Sequence, residues 1–165
     1  MQNVSHFWEL ILGTVIALLR SEPHIVGIKD SSGSASRLHE LVTARAGAPW
    51  SLLVGDDLLL GRGLDAGWNG GISGLASCCP ELLVALYRSV ARGDAAERTR
   101  CEARLAELAA QLSPFPTPWG IRLVLRARGL HAGPLPWPLS AVRRREVERL
   151  EAWVSERGLD LTGSG

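Results

Sequence analysis

At 165 residues and 46% hydrophobic content, the chain is long enough to bury a sizeable core and too apolar to be disordered. The formal net charge is +1, and the densest basic cluster, Arg143-Arg144-Arg145, runs directly into Glu146 and Glu148, which reads as a solvated helix face and not as a nucleic-acid footprint. The three cysteines, Cys78, Cys79 and Cys101, are odd in number and lack C-x-x-C spacing, so neither a disulfide framework nor a zinc site is expected, and a reducing cytoplasm fits.

In chain order, Trp8, Ile11, Leu12, Val15, Ile16 and Leu19 recur at helical spacing, and Pro23 ends that helix. The stretch from Leu10 to Leu19 is interrupted by Gly13 and Thr14, is too short to span a bilayer and has no basic region before it, so neither membrane insertion nor secretion is indicated. A strand follows over about Ile25 to Lys29. Ser34 or Ser36 then caps a helix through about Ala46. The apolar run Ser51 to Gly55 reads as a buried strand leading into Asp56-Asp57 and a helix that ends near Gly67. A third strand covers about Gly70 to Ser73. Pro80 with Glu81 opens the helix through Val90, and Asp94 with Glu97 has the pattern of a capping box for the next one. Two further helices run from about Pro118 to Arg128, stopped by Gly129, and from Ser140 to about Arg157, stopped by Gly158. The tail from Leu161 to Gly165 is expected to fray.

Strands alternating with helices predict an α/β protein with a parallel sheet. Three parallel strands leave two raw edges, whereas a closed βα barrel takes eight units and about 250 residues. The expectation is therefore a partial TIM (β/α)8 barrel, its last three βα units followed by extra helices, forming a single domain over 1–165.

Chemistry concentrates at one lysine. Seventeen of the eighteen basic residues are arginine, and the exception, Lys29, closes the run His24-Ile25-Val26-Gly27-Ile28 just before Asp30-Ser31-Ser32-Gly33. Arginine serves surface charge equally well, but only lysine can lose its proton. A lysine amine withdrawn from water becomes a neutral nucleophile able to form a Schiff base with a ketone. The competing reading is a strand-end lysine that snorkels to solvent.

Gly27-Ile28-Lys29-Asp30-Ser31-Ser32-Gly33, then Gly55-Asp56-Asp57, then Gly67-Trp68-Asn69-Gly70-Gly71-Ile72-Ser73-Gly74 and Pro80-Glu81-Leu82 together resemble the C-terminal half of the dihydrodipicolinate synthase and N-acetylneuraminate lyase family. The resemblance implies a class I, Schiff-base aldolase or lyase on a TIM barrel, a homo-oligomer acting on pyruvate or a related 2-oxo acid, with no cofactor. It implies that Lys29, at the end of the sixth barrel strand, is the imine-forming residue. Gly55 then stands at the mouth of the seventh strand, where substrate approaches the backbone. Asp56 and Asp57 fall where some members bind the distal part of the substrate, although both also suit helix capping. Ile72 is expected to line the pocket and Ser73 to offer a hydroxyl.

The departures are as informative. The family's fifth strand ends in Tyr-Asn-x-Pro, whose tyrosine relays protons to the imine, and here Gln2, or Met1 with a slip of one, stands in its place. The only tyrosine, Tyr87, reads as a packing residue on a helix. The paired hydroxyls that clamp the carboxylate in the family belong to its second strand, which has no counterpart in this sequence. Positioned acid-base groups contribute roughly a hundredfold to ten-thousandfold, so the chain alone is expected to be a weak or inactive aldolase. An internal start, a degenerate remnant and a separate chain supplying the other half are the competing explanations, the internal start being preferred.

Other readings fare less well. The glycines from Gly67 to Gly74 match no phosphate-cradle pattern. Cys78 and Cys79 read as buried and inert. His6, His24, His39 and His131 lack ligand spacing. The six tryptophans do not interleave with a basic stripe, so they read as core and interface anchors and not as a stacking platform. A non-catalytic interaction module is the alternative from a different class, using the open sheet edges and the last helix's Val142, Val147, Leu150, Trp153 and Val154. That apolar face equally suits packing on its own domain.

Overall fold

The computed structural model describes residues 4–134 and 138–157. They fall into two compact units, Met1–Ile72 and Ser73–Gly165.

The first unit contains helix α1 (Val4–Ser21), strand β1 (Gly27–Asp30), helix α2 (Ala35–Arg45), strand β2 (Ser51–Val54), helix α3 (Leu60–Asp65) and strand β3 (Gly70–Gly71), with a 3₁₀ turn at Asp57–Leu59. The sheet has the order β1-β2-β3 and is parallel throughout, pairing Lys29 with Leu53, Asp30 with Val54, Leu53 with Gly70 and Val54 with Gly71. Strand β1 begins two residues later than the apolar pattern predicts. Ile25 N–H instead closes a turn onto the Glu22 carbonyl, and only the Val26 carbonyl joins the ladder, accepting from Ser51 N–H. Strand β3 is shorter than expected, but the ladder continues one bond further, from Ile72 N–H to the Val54 carbonyl at 2.9 Å.

Alternation along the strands separates two faces. Leu52 and Val54 point to the helix side and are buried, as are Leu38 and Leu41 of α2 and Leu60 of α3. Close approach there depends on a missing side chain. A β-carbon on Gly63 of α3 would overlap Val54 Cγ2 and lie 3.7 Å from Leu38. Trp68 fastens the layer, its indole N–H donating to the Leu38 carbonyl at 2.9 Å. On the opposite face Lys29 and Ile72 are exposed.

The second unit is helical: α4 (Pro80–Arg92), α5 (Ala95–Leu112), α6 (Trp119–Ala127) and α7 (Ala141–Arg157), preceded by a 3₁₀ turn at Leu75–Ser77. Helix α4 packs on α5 through buried Leu82, Leu83 and Leu86 on one side and Cys101, Leu105 and Leu108 on the other. Gly93 ends α4 with φ of 68°, the left-handed conformation that glycine adopts without penalty. Asp94 caps α5 as its spacing with Glu97 predicts, accepting from Glu97 N–H at 3.0 Å. The reciprocal half of the capping box is absent, because the Glu97 carboxylate is taken by Arg100 and Asp94 N–H bonds the Ser89 carbonyl.

Helix α6 packs on α7, with Leu123, Val124, Val147, Leu150 and Val154 buried. The apolar face of the last helix thus divides: three of its five residues are core, Trp153 is half-buried and Val142 is exposed. Two further readings need correction. Tyr87 is 48% exposed and is no core packing residue. Arg143 is not simply solvated; its guanidinium lies 5.6 Å from the Phe115 ring and 5.4 Å from the Trp119 ring and donates to the Pro114 carbonyl at 2.6 Å. Gly158 and the tail Leu161 to Gly165 lie outside the described residues.

Candidate active site

Parallel pairing brings the carboxyl ends of the three strands together, where α/β proteins gather ligand-binding groups. Lys29 is the penultimate residue of β1, Gly55 the first beyond β2 and Ile72 the first beyond β3. In the observed register all three belong to the face of the sheet away from the helices.

Gly55 governs the geometry. Its N–H donates to the Asp30 carbonyl at 2.7 Å, which draws its Cα tightly against the end of β1. A β-carbon at this position would lie 2.6 Å from Lys29 Cε, 2.9 Å from the Asp30 carbonyl oxygen and closer still to Ser31 Oγ. Only glycine leaves room for the lysine stem to cross here. Lys29 has neither an ion pair nor a hydrogen bond among the described residues.

The neighbouring Asp30 turns the other way and is fully engaged. Its carboxylate accepts from Ser32 N–H at 3.2 Å, from Ser32 Oγ at 2.8 Å and from the buried Arg37 Nε at 3.3 Å. The bend after β1 is thereby tied to α2 from behind the sheet, which holds the Lys29 backbone in place.

The other predicted residues divide. Asp56 is a helix cap, accepting from Leu58 N–H at 3.0 Å, while Asp57 forms the first turn that follows. The sequence left capping and substrate contact open for this pair, and the observed hydrogen bond engages one Asp56 carboxylate oxygen. Ile72 is 50% exposed and is therefore not a core residue. Ser73 opens the second unit and its hydroxyl accepts from Ala76 N–H at 2.8 Å, an ordinary turn cap. Met1 and Gln2, in the place of the relay tyrosine, lie outside the described residues.

Lys29 is exposed, whereas a Schiff-base lysine is expected to be withdrawn from water. Its face of the sheet carries Gly27, Gly55 and Gly70, which supply no side-chain cover, and Ile72 is itself half open. Among the described residues no His/Cys/Asp/Glu group could hold a metal ion, and no helix is long and apolar enough to cross a membrane.

The second unit holds an ionic cluster that the sequence reading passed over. Arg128, just after α6, donates to the Cys78 carbonyl and to both carboxylate oxygens of Glu81, at 2.6 and 3.2 Å. These hydrogen bonds hold the Glu81 carboxyl below the usual carboxylate range. Cys78 and Cys79 are buried as expected, and Cys78 is pushed upward by its hydrogen bond to Cys79 and by burial. Burial and the nearby Glu97 push Cys101 up to about 11. All three thiols are buried and lack the solvent access of a reactive cysteine.

Three parallel strands backed by helices, with one lysine crossing a glycine at the strand ends, define an α/β protein of partial-barrel architecture. The model of the Dihydrodipicolinate synthetase family matches residues 8–157, and the chain belongs to that family. A DapA-like lyase of Halobacterium salinarum is 35% identical over 151 residues, covering 92% of this chain and 49% of the relative. The solved 4-hydroxy-tetrahydrodipicolinate synthase of Methylacidiphilum fumariolicum superposes with a TM-score of 0.75 at 27% identity, over 91% of this chain and 51% of that one. A prophage protein of E. coli from the dihydrodipicolinic acid synthase family, solved in complex with pyruvate, gives a TM-score of 0.74 at 25% identity over 89% and 51%. The chain spans about half the length of the curated relatives it matches.

Proposed function

We propose that this chain carries the imine-forming part of a pyruvate-dependent class I aldolase or lyase, with Lys29 as the nucleophile. The observation that supports it best is the Lys29 side chain, unpaired among the described residues, lying across Gly55 at the carboxyl ends of parallel strands. Condensation of the amine with the ketone of pyruvate or a related 2-oxo acid gives an iminium, and its electron demand makes loss of a proton or a carbon at the adjacent position feasible. Gly55 admits the substrate to the backbone, Ile72 walls it near the imine with Ser73 assigned as a hydroxyl there, and Asp56 and Asp57 are the polar groups assigned to its distal part. The strands are the sixth to eighth of a barrel, within one domain over 1–165. The family implies a homo-oligomer, and weak activity is expected of this chain alone while Lys29 stays open to water.

The experiment is trapping. The purified chain is incubated with pyruvate and borohydride and weighed intact, with peptide mapping of the adduct. The expected result is a single reduced pyruvyl adduct at Lys29 that is absent from Lys29→Arg. No adduct beside a family enzyme that labels would remove the reading.

The non-catalytic module is the second reading, favoured by apolar groups left open near the strands, with Val26 71% and Ile25 38% exposed in addition to Ile72. It calls for association with another subunit and no adduct.

A further inference from the structure

Ser31 follows Lys29 by two residues, so an extended backbone directs both side chains to the same open face while Asp30 between them is held behind the sheet. Gly55 brings the two together. Its absent β-carbon marks a point 2.6 Å from Lys29 Cε and nearer still to Ser31 Oγ, so the hydroxyl and the end of the lysine stem share one niche above the glycine backbone. Neighbouring serines are occupied, Ser32 by Asp30 and Ser73 by Ala76 N–H. Ser31 Oγ has no hydrogen bond among the described residues, and the residue is exposed to solvent.

Attack of an amine on a ketone yields a carbinolamine, which must then lose its oxygen as water. The nitrogen lone pair forms the C=N bond, the C–O bond breaks, and the departing oxygen takes up a proton. That proton needs a donor close to the Lys29 nitrogen. Building on the Lys29 reading above, we infer that Ser31 Oγ delivers it and is reprotonated by a solvent water on its open side, so that one solvent proton is consumed for each water released. Ser31 is then a catalytic residue for imine formation.

The test compares the full chain with Ser31→Ala in two reactions of the same amine. The first is the rate of borohydride-trapped pyruvate adduct at Lys29. The second is arylation of Lys29 by trinitrobenzenesulfonate, which consumes the amine without any dehydration step. Lys29 is the only lysine, so peptide mass separates it cleanly from the N-terminal amine. The expected result is trapping slowed by about tenfold or more in Ser31→Ala, in line with a positioned proton-transfer group, with arylation unchanged. Equal trapping rates in the two proteins overturn the inference and leave the Lys29 reading intact. Equal slowing of both reactions also overturns it, since the hydroxyl would then be acting on the amine and not on the leaving oxygen. Absence of any adduct in the unaltered chain overturns this inference and the Lys29 reading together.

Discussion

The two faces of one three-stranded sheet carry opposite kinds of residue. Behind it, Leu52 and Val54 meet helices, and the charged Asp30 pairs with Arg37 and accepts two bonds from Ser32. In front, Lys29, Ser31 and Ile72 stand open, with Gly55 between them. Residues one position apart on the same strand therefore answer to different demands. The rear face must satisfy every polar group because water is excluded there. On the front face an amine and a hydroxyl without partners among the described residues are tolerated because solvent reaches them. Stability is thus concentrated behind the sheet, and the groups proposed for chemistry stand in front of it.

Substitutions at adjacent positions put that division to the test. Leu52→Ala, on the rear face, is expected to lower stability by about 2–5 kcal/mol through lost burial and the cavity left behind. Its neighbour Leu53→Ala, on the front face and only partly buried, should cost less than about 1 kcal/mol. Paired denaturant titrations check this, and similar losses at both positions would break the comparison. Gly55→Ala comes next. The added methyl meets the Asp30 carbonyl oxygen as well as the mobile lysine stem, so about 1–3 kcal/mol of overpacking is expected, together with loss of the trapped Lys29 adduct. Unchanged melting and unchanged labelling would show that the niche is wider than the geometry indicates.

The smallest effect lies away from the sheet and sharpens the contrast by showing what an occupied charge does. Arg128 lowers the Glu81 pKa, so the carboxylate's contribution is complete above its unfolded value and is lost as pH falls through the lowered folded value. The Glu81 side chain is 39% exposed, which keeps the effect below about 1 kcal/mol. Thermal melts from neutral to acid pH should show the unaltered chain losing slightly more stability than Arg128→Ala. Parallel curves would remove Glu81 from the acid response.

The order and type of the elements were legible in local pattern. Short apolar runs, Pro80 at a helix start and Asp94 before Glu97 are all local signals, and the elements they mark follow in the expected order. Ser31 was within reach as well, since alternation alone places it on the Lys29 face. What could not be read locally were contacts between residues far apart in the chain. Arg128 reaches Glu81 and Cys78 across some fifty positions, and Arg143 lies over Phe115 and Trp119. A charged helix face looks the same in sequence whether its arginines are solvated or stacked on a ring.

By itself the sequence determined the alternation of strands and helices, the reservation of one amine among arginines and the family to which these motifs point, because backbone geometry and side-chain chemistry act over a few residues. Tertiary structure decided which strand ends meet and that Lys29 and Ser31 share the space left by Gly55. Those outcomes depend on parallel register and on the close approach of separate strands, and both are set by packing the rear of the sheet against its helices.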